Sequence, residues 1–373
     1  MPESPLRVLS ILGTRPEAVK MAPVIAELDR RATIQSAVCV TAQHREMLDQ
    51  VLALFQIKPA YDLNLMRHNQ SLDALTAAVF THLAPVLEDV QPDWVLVQGD
   101  TTTVMAAALA ATYHRIRVGH VEAGLRTRDK WNPFPEEINR RVAGCISDLH
   151  FAPTEQARKN LLAEGVDPAR IVLTGNPVID ALQQVVTMPY NFQSGPLAEI
   201  DECERVVLVT AHRRENFGEP LERIFGALQT LAEAYPHMAF VYPVHLNPNV
   251  QEPARRLLGG IPNFHLLPPL DYLPMAHLLK RAELVLTDSG GLQEEAPALG
   301  TPVLVLRDVT ERPEGVEAGT ALVVGTDPSR IVTETRRLLD DPQAYAAMAQ
   351  AVNPYGDGRA AGRIVDGLLQ AVR

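Results

Sequence analysis

Cysteine is scarce in this chain. Its 373 residues hold three, Cys39, Cys145 and Cys203, scattered and without a CxxC pair. That implies neither a disulfide framework nor a zinc site, and it fits a reducing compartment. No apolar run approaches the roughly 18 residues that span a bilayer. The short apolar stretch of MPESPLRVLSILG runs straight into a polar motif with no small-residue cleavage site, so a cytoplasmic location is expected. An excess of basic charge is also lacking. The net charge of −11 argues against non-specific nucleic-acid binding, whose affinity comes from neutralising phosphates with Lys and Arg. Any phosphate site must then be local. The histidines show no spacing such as HExxH, so no catalytic metal is expected. The first strand-end motif, ILGTRPEAVKMAP, holds one glycine where a dinucleotide-binding turn would carry GxGxxG. An NAD-dependent reading is weakened accordingly.

What is present is an ordinary globular composition, 46% hydrophobic and 21% charged, at a length comfortable for two domains. Apolar β-rich runs recur at residues 8–12, 37–41, 94–98, 117–121, 171–174, 206–210, 239–244, 284–287, 303–306 and 321–324. Segments of helical apolar spacing, such as 71–87 and 221–234, separate most of them. That alternation predicts parallel sheets covered on both faces by helices. Around residues 187–204 the pattern lapses into MPYNFQSGPLAEIDECER, read as a linker between a domain of residues 1–186 and one of 205–354.

Polar signatures fall where these strands end: Gly13 to Glu17, Gln98 to Thr101, Glu122 to Gly124, Thr174 to Asn176, Ala211 to Asn216, Pro243 to His245, and Asp288 to Gly291. Ligands of open parallel sheets bind outside the carboxyl ends of the strands, so one cleft between facing sheet edges is expected. Several residues there have two readings. Arg15 can grip an anion bidentately or pair with Glu17. Asp100, in VQGDTTT, can react or cap the next helix. Glu122, in GHVEAGLRT, lies in a segment that should be buried; it is an acid or base, or the ion-pair partner of Arg126. Glu136, Asn139 and Arg140 share a helix face in NPFPEEINRR, as a charged first turn with a salt bridge or as part of a proton-transfer set with Asp100 and Glu122. His212, Arg213 and Arg214 suit phosphate oxygens, His245 is open, and Arg312 meets a phosphate or a neighbouring glutamate. Ser289, Gly290 and Gly291 end a strand and open a helix, where uncovered N–H groups attract anions.

GTRPEAVKMAP, TAQHREMLDQVL, QGDTTT, GHVEAGLRT, PEEINR, TGNPVIDAL, TAHRRENFGEP, YPVHLNP, LTDSGGLQEEAPALGTPVLVLRD, ERPEGVEAGT and NPYGDGRA follow one another over nearly the whole chain. As an ordered set they closely resemble the bacterial non-hydrolysing UDP-N-acetylglucosamine 2-epimerases. The resemblance implies a glycosyltransferase-B-like α/β fold, two Rossmann-like doubly wound domains facing across a deep cleft, with a C-terminal helix in 355–373 crossing back to the first domain. It implies a homodimer that needs no cofactor. It places the UDP diphosphate over Ser289, Gly290 and Gly291 and the ribose on Glu295, with Arg15, Lys20, Arg140, Asn176 and Arg312 around the UDP-sugar. Catalysis falls to Asp100, Glu122, Glu136 and His212.

The implied chemistry is elimination of UDP to 2-acetamidoglucal and re-addition, giving UDP-N-acetylmannosamine for cell-surface polysaccharide. Relatives also bind a second UDP-N-acetylglucosamine as activator; matching positions include Gln43, Arg213 and His245. Glu46 and Asn69 stand where relatives commonly carry Gln and Arg, so weaker or absent activation is expected. The rival readings are a hydrolysing epimerase, a retaining glycosyltransferase, an NAD-dependent epimerase and a non-catalytic nucleotide-sugar sensor.

Overall fold

The computed structural model describes residues 5–41, 45–65, 67 and 70–371, the side chain of Glu46 excepted. The chain divides into two compact units, Met1–Ala181 with Gly356–Arg373, and Leu182–Tyr355. The first is built on β1 (Leu6–Leu12), β2 (Ile34–Val40), β3 (Tyr61–Asp62), β4 (Trp94–Gln98), β5 (Arg117–Val121), β6 (Leu149–Ala152) and β7 (Ile171–Leu173), in the order β3-β2-β1-β4-β5-β6-β7. The second is built on β8 (Val206–Thr210), β9 (Ala239–Pro243), β10 (Phe264–Leu267), β11 (Ala282–Thr287), β12 (Val303–Val305) and β13 (Ala321–Val323), in the order β10-β9-β8-β11-β12-β13. Every strand pairing among the described residues is parallel.

Central strands such as β4 (WVLVQ) and β8 (VVLVT) are buried at every residue, as sheets covered on both faces require. The alanine-rich helix Thr102–Tyr113 and the helix Leu72–Val90 pack Ala107, Ala111, Val79 and Leu83 into one cluster with Val95, Val97 and Val118. In the second unit Leu221, Phe225 and Leu228 of the helix Glu219–Ala234 meet Val207, Val209, Tyr242 and Leu284. All ten expected strands are found, their ends within three residues of the expected ones. Three more were not expected: β3 is two residues long, and β6 and β10 each carry a histidine, His150 and His265, that interrupts a short apolar run.

Strand order reverses between β1 and β4 in one sheet and between β8 and β11 in the other. The loops leaving those strands therefore diverge and open a crevice at the carboxyl edge of each sheet. The C-terminal helix Ala360–Ala371 belongs to the first unit. Its leading N–H groups, from Ala360 and Ala361, donate to the Asp180 carboxylate at 3.2 and 2.9 Å, and Asp366 pairs with Arg31 at 2.8 Å. Residues 187–204 carry a 3-10 turn, Ala198–Ile200, with Leu197 and Ile200 buried. Arg281 donates to the carbonyls of Asp201 and Cys203 at 2.5 and 2.6 Å, which stitches this segment to the second unit. No described helix is long and apolar enough to cross a membrane.

Candidate active site

Glu122 lies just beyond β5, 6% exposed, with its backbone left-handed at φ +62°. A non-glycine residue holds that conformation only where its surroundings compel it. Three side chains from separate elements do so. Lys20, from the helix Arg15–Arg30, donates to both carboxylate oxygens at 2.7 and 2.6 Å. Asn176 donates at 2.9 Å, and Gln98, the last residue of β4, donates to Oε2. Arg126 is not the ion-pair partner: it pairs with Glu164 through two 2.8 Å contacts. Two residues on, Gly124 adopts φ +91°, and a Cβ there would stand 2.3 Å from the carbonyl of Ala157, so only glycine fits.

Asp100 follows β4. Its Oδ2 receives Nε and Nη2 of Arg140 at 2.8 and 2.6 Å, and its carbonyl accepts from Asn139 at 2.9 Å. Its Oδ1 has no partner among the described residues. Asn139 and Arg140 thus turn onto Asp100, whereas Glu136, on the same face, does not form the expected salt bridge with Arg140. Its Oε2 is sealed from solvent without a hydrogen-bond partner among the described residues.

Two further residues, His120 and Glu17, brace these loops. His120 lies with Nε2 2.7 Å from the carbonyl of Gly99, so Nε2 carries the proton. Burial pulls its pKa down to about 4, which keeps the ring neutral. Glu17 does not pair with Arg15, which opens the helix after Thr14. Instead its Oε2 accepts the N–H of Gly13 at 2.5 Å.

Glu17 is only 2% exposed. Burial pushes its pKa from 4.5 up to about 7 against the opposing hydrogen bonds from Thr101, Gly13 and Thr14. The folded state therefore binds this proton more tightly than the unfolded chain. The associated stability is fully present below pH 4.5 and is lost as pH rises through 7. The Glu17→Gln variant, which keeps the acceptor, is expected to gain about 3 kcal/mol over wild type at pH 8 and to match it near pH 4.5. Urea melts at the two pH values measure this difference.

In the second unit Asp288, at the end of β11, is 0% exposed. Its Oδ2 accepts the N–H groups of His212 and Arg213, both at 2.7 Å, and the Asn216 amide at 3.2 Å. Its Oδ1 lies 3.4 Å from Nδ1 of His212. One carboxylate thus ties the loop after β8 to the glycine turn after β11. The His212 ring stacks on His245, centroids 5.4 Å apart. Burial lowers the His212 pKa, His245 and Arg213 add to that, and Asp288 opposes it.

A Cβ placed on Gly290 would stand 3.8 Å from Nη2 of Arg213 and 3.9 Å from Nη2 of Arg312. Both guanidinium groups therefore flank the turn. Arg312 also meets the neighbouring glutamate of the alternative reading, donating Nε to the buried Glu294. Ser289 precedes the helix Gly290–Glu295 with no side-chain cap bond. Glu295 accepts from the Tyr272 hydroxyl at 2.9 Å. Arg213 and His245 were grouped with Gln43 and Glu46 as a second nucleotide site; the structure puts both beside His212. Gln43 and Asn69 lie outside the described residues, as does the Glu46 side chain.

The first crevice therefore combines Asp100 and the buried Glu122 with Lys20 and Arg140, and the second the buried Asp288 and a glycine turn with His212, Arg213 and Arg312, a composition suited to a phosphorylated substrate and proton transfer. A family model described as UDP-N-acetylglucosamine 2-epimerase matches residues 26–369. The UDP-N-acetylglucosamine 2-epimerase of Yersinia pestis is 54% identical over 369 residues, covering 97% of this chain and 98% of its own. The crystal structure of UDP-GlcNAc 2-epimerase from Neisseria meningitidis bound to UDP-GlcNAc is 50% identical, with TM-score 0.88 over 98% of this chain and 100% of that one. A glycotransferase of kitacinnamycin, 14% identical, matches with TM-score 0.62 over 99% of both chains, a likeness of glycosyltransferase-B-like fold alone. Since the family match and the identities run through both units, the chain belongs to the UDP-N-acetylglucosamine 2-epimerase family.

Proposed function

We propose that this protein reversibly epimerises UDP-N-acetylglucosamine at C2 to UDP-N-acetylmannosamine, without hydrolysis, by eliminating and re-adding UDP. The observation that carries this reading is Glu122, buried in a left-handed turn and oriented by Lys20, Gln98 and Asn176, with Asp100 on the next loop. The Neisseria relative, which holds UDP-GlcNAc, supports the same substrate here.

The C2 proton has no adjacent carbonyl to acidify it, so simple removal and return would be slow. Elimination avoids this. A base takes the C2 proton, the C–H pair becomes the C1=C2 double bond, and the C1–O pair leaves with the β-phosphate of UDP. Protonation of C2 from the other face, with attack of the UDP oxygen on C1, completes the inversion. Opposite faces need two proton-transfer roles, which we assign to the set Asp100, Glu122 and Glu136. Charge developing on the departing UDP is met by His212, Arg213, Arg312 and the N–H groups at Ser289 to Gly291. Arg15 and Arg140 add positive charge, and Glu295 takes the ribose hydroxyls. Excluding water keeps the glucal and UDP from separating. Neither NAD nor a metal enters this reading.

The active form is read as a cytoplasmic homodimer supplying ManNAc units for cell-surface polysaccharide. Activation by a second UDP-GlcNAc is weak or absent because of Glu46 and Asn69; sigmoidal substrate dependence would contradict that. Positional isotope exchange tests the elimination itself. UDP-GlcNAc labelled with 18O in the C1–O–P bridge is expected to move label into non-bridging β-phosphate positions, read by phosphorus NMR. Label that stays in the bridge throughout epimerisation would overturn the mechanism.

A further inference from the structure

We infer that Glu137 is a positioning residue that holds Asp100 in place through Arg140; the inference rests on the reading of Asp100 as a proton-transfer group. Glu136 and Glu137 are adjacent in the first turn of the helix Glu136–Ile146. Successive helical residues point about 100° apart, so the two cannot serve one side. Glu136 is half-buried, whereas Glu137 is 0% exposed. A carboxylate so deep is costly unless its oxygens are met.

They are met from two segments. Oε2 of Glu137 accepts the N–H of Thr127 at 3.1 Å and Nη1 of Arg140 at 3.4 Å. Oε1 accepts the N–H of Arg128 at 3.2 Å and lies 3.7 Å from Nε of Arg141. Arg128 is itself held left-handed, at φ +68°. The remaining nitrogens of Arg140, Nε and Nη2, reach Asp100 Oδ2 at 2.8 and 2.6 Å. The guanidinium is thus fixed at both ends, between one carboxylate that is anchored to backbone and one that keeps a free oxygen.

An ordinary i,i+3 helix pair is solvated and contributes little. This one is enclosed and reaches across to another loop. Arginine presents its donors in a rigid plane. Losing the Glu137 end therefore lets the whole plane turn, and Asp100 turns with it. Misplacing a reacting group by about 1 Å costs on the order of 100-fold in rate.

The test uses full-length Glu137→Gln and Glu137→Ala protein, with thermal melts confirming that each is folded. Steady-state epimerisation of UDP-GlcNAc is expected to show kcat reduced on the order of 100-fold in the alanine variant and about 10-fold in the glutamine variant, with KM within about threefold. In an Arg140→Gln background the same alanine change should cost less than about twofold more, because the route to Asp100 is already cut. If the alanine variant does not fold, the glutamine variant carries the test. Trypsin cleavage at Arg128 and Lys130, followed without substrate, reads the loop end of the clamp and should speed up in both variants. Faster cleavage with kcat within about twofold of wild type would assign Glu137 to the loop alone and overturn the inference, as would a full alanine penalty that persists in the Arg140→Gln background. Wild-type protein that epimerises nothing would instead overturn the functional reading.

Discussion

Replacing Glu122 by glutamine is expected to lower kcat on the order of 1,000-fold, the scale of losing a positioned acid or base. Glutamine matches glutamate in shape and its one amide oxygen can still accept from Asn176, so the left-handed turn at φ +62° should persist. What it cannot do is take a proton from carbon. The variant also leaves the Lys20 ammonium, 19% exposed at its side chain, without its carboxylate. Breaking one side of a buried pair costs about 3 kcal/mol. The double variant Glu122→Gln with Lys20→Met should recover that stability in a thermal melt and recover none of the activity. A Glu122→Gln protein with kcat within tenfold of wild type would remove Glu122 from the proton-transfer set.

The Asp288→Ala variant should act on the second unit in a different way. Two part-buried backbone N–H groups, of His212 and Arg213, and the Asn216 amide lose their common acceptor, a carboxylate with no solvent access. Leaving buried donors unmet costs about 3 kcal/mol in folding stability. The loop carrying His212 and Arg213 is then no longer tied to the glycine turn, and affinity for UDP should fall on the order of 100-fold. Urea melts and calorimetric titration with UDP measure the two effects. A UDP Kd within about threefold of wild type would show that Asp288 supports the fold and not the nucleotide site.

Much of the architecture is legible in the chain. Long β-rich runs separated by helical spacing give a doubly wound parallel fold, because only crossover helices join parallel strands. Short strands are less legible: in β6 and β10 His150 and His265 break short apolar runs, and pairing with a neighbouring strand decides them. The site divides in the same way. Strand-end loops could be read, since polar residues after an apolar run stand out. Partners could not, because crossovers bring together residues far apart in sequence. Lys20 meets Glu122 across 102 residues, so the nearer Arg126 was the natural choice for a pair. Glu17, Gln98, His120, Glu137 and Asp288 carry no catalytic or binding role in the sequence reading for a related reason. Each looks like an ordinary strand-end or helix-start residue until the fold supplies its neighbours. Glu136 beside Glu137 shows how fine the distinction is: a single step of helical phase separates an unpartnered oxygen from a fully enclosed carboxylate.

The most direct measurement is proton NMR of the purified protein with UDP-N-acetylglucosamine in D2O, with neither NAD nor metal added. Reversible elimination predicts UDP-N-acetylmannosamine carrying deuterium at C2, the same exchange appearing in recovered substrate, and total UDP-sugar conserved. Epimerised product that keeps its original hydrogen at C2, or accumulation of UDP with free sugar, would contradict it.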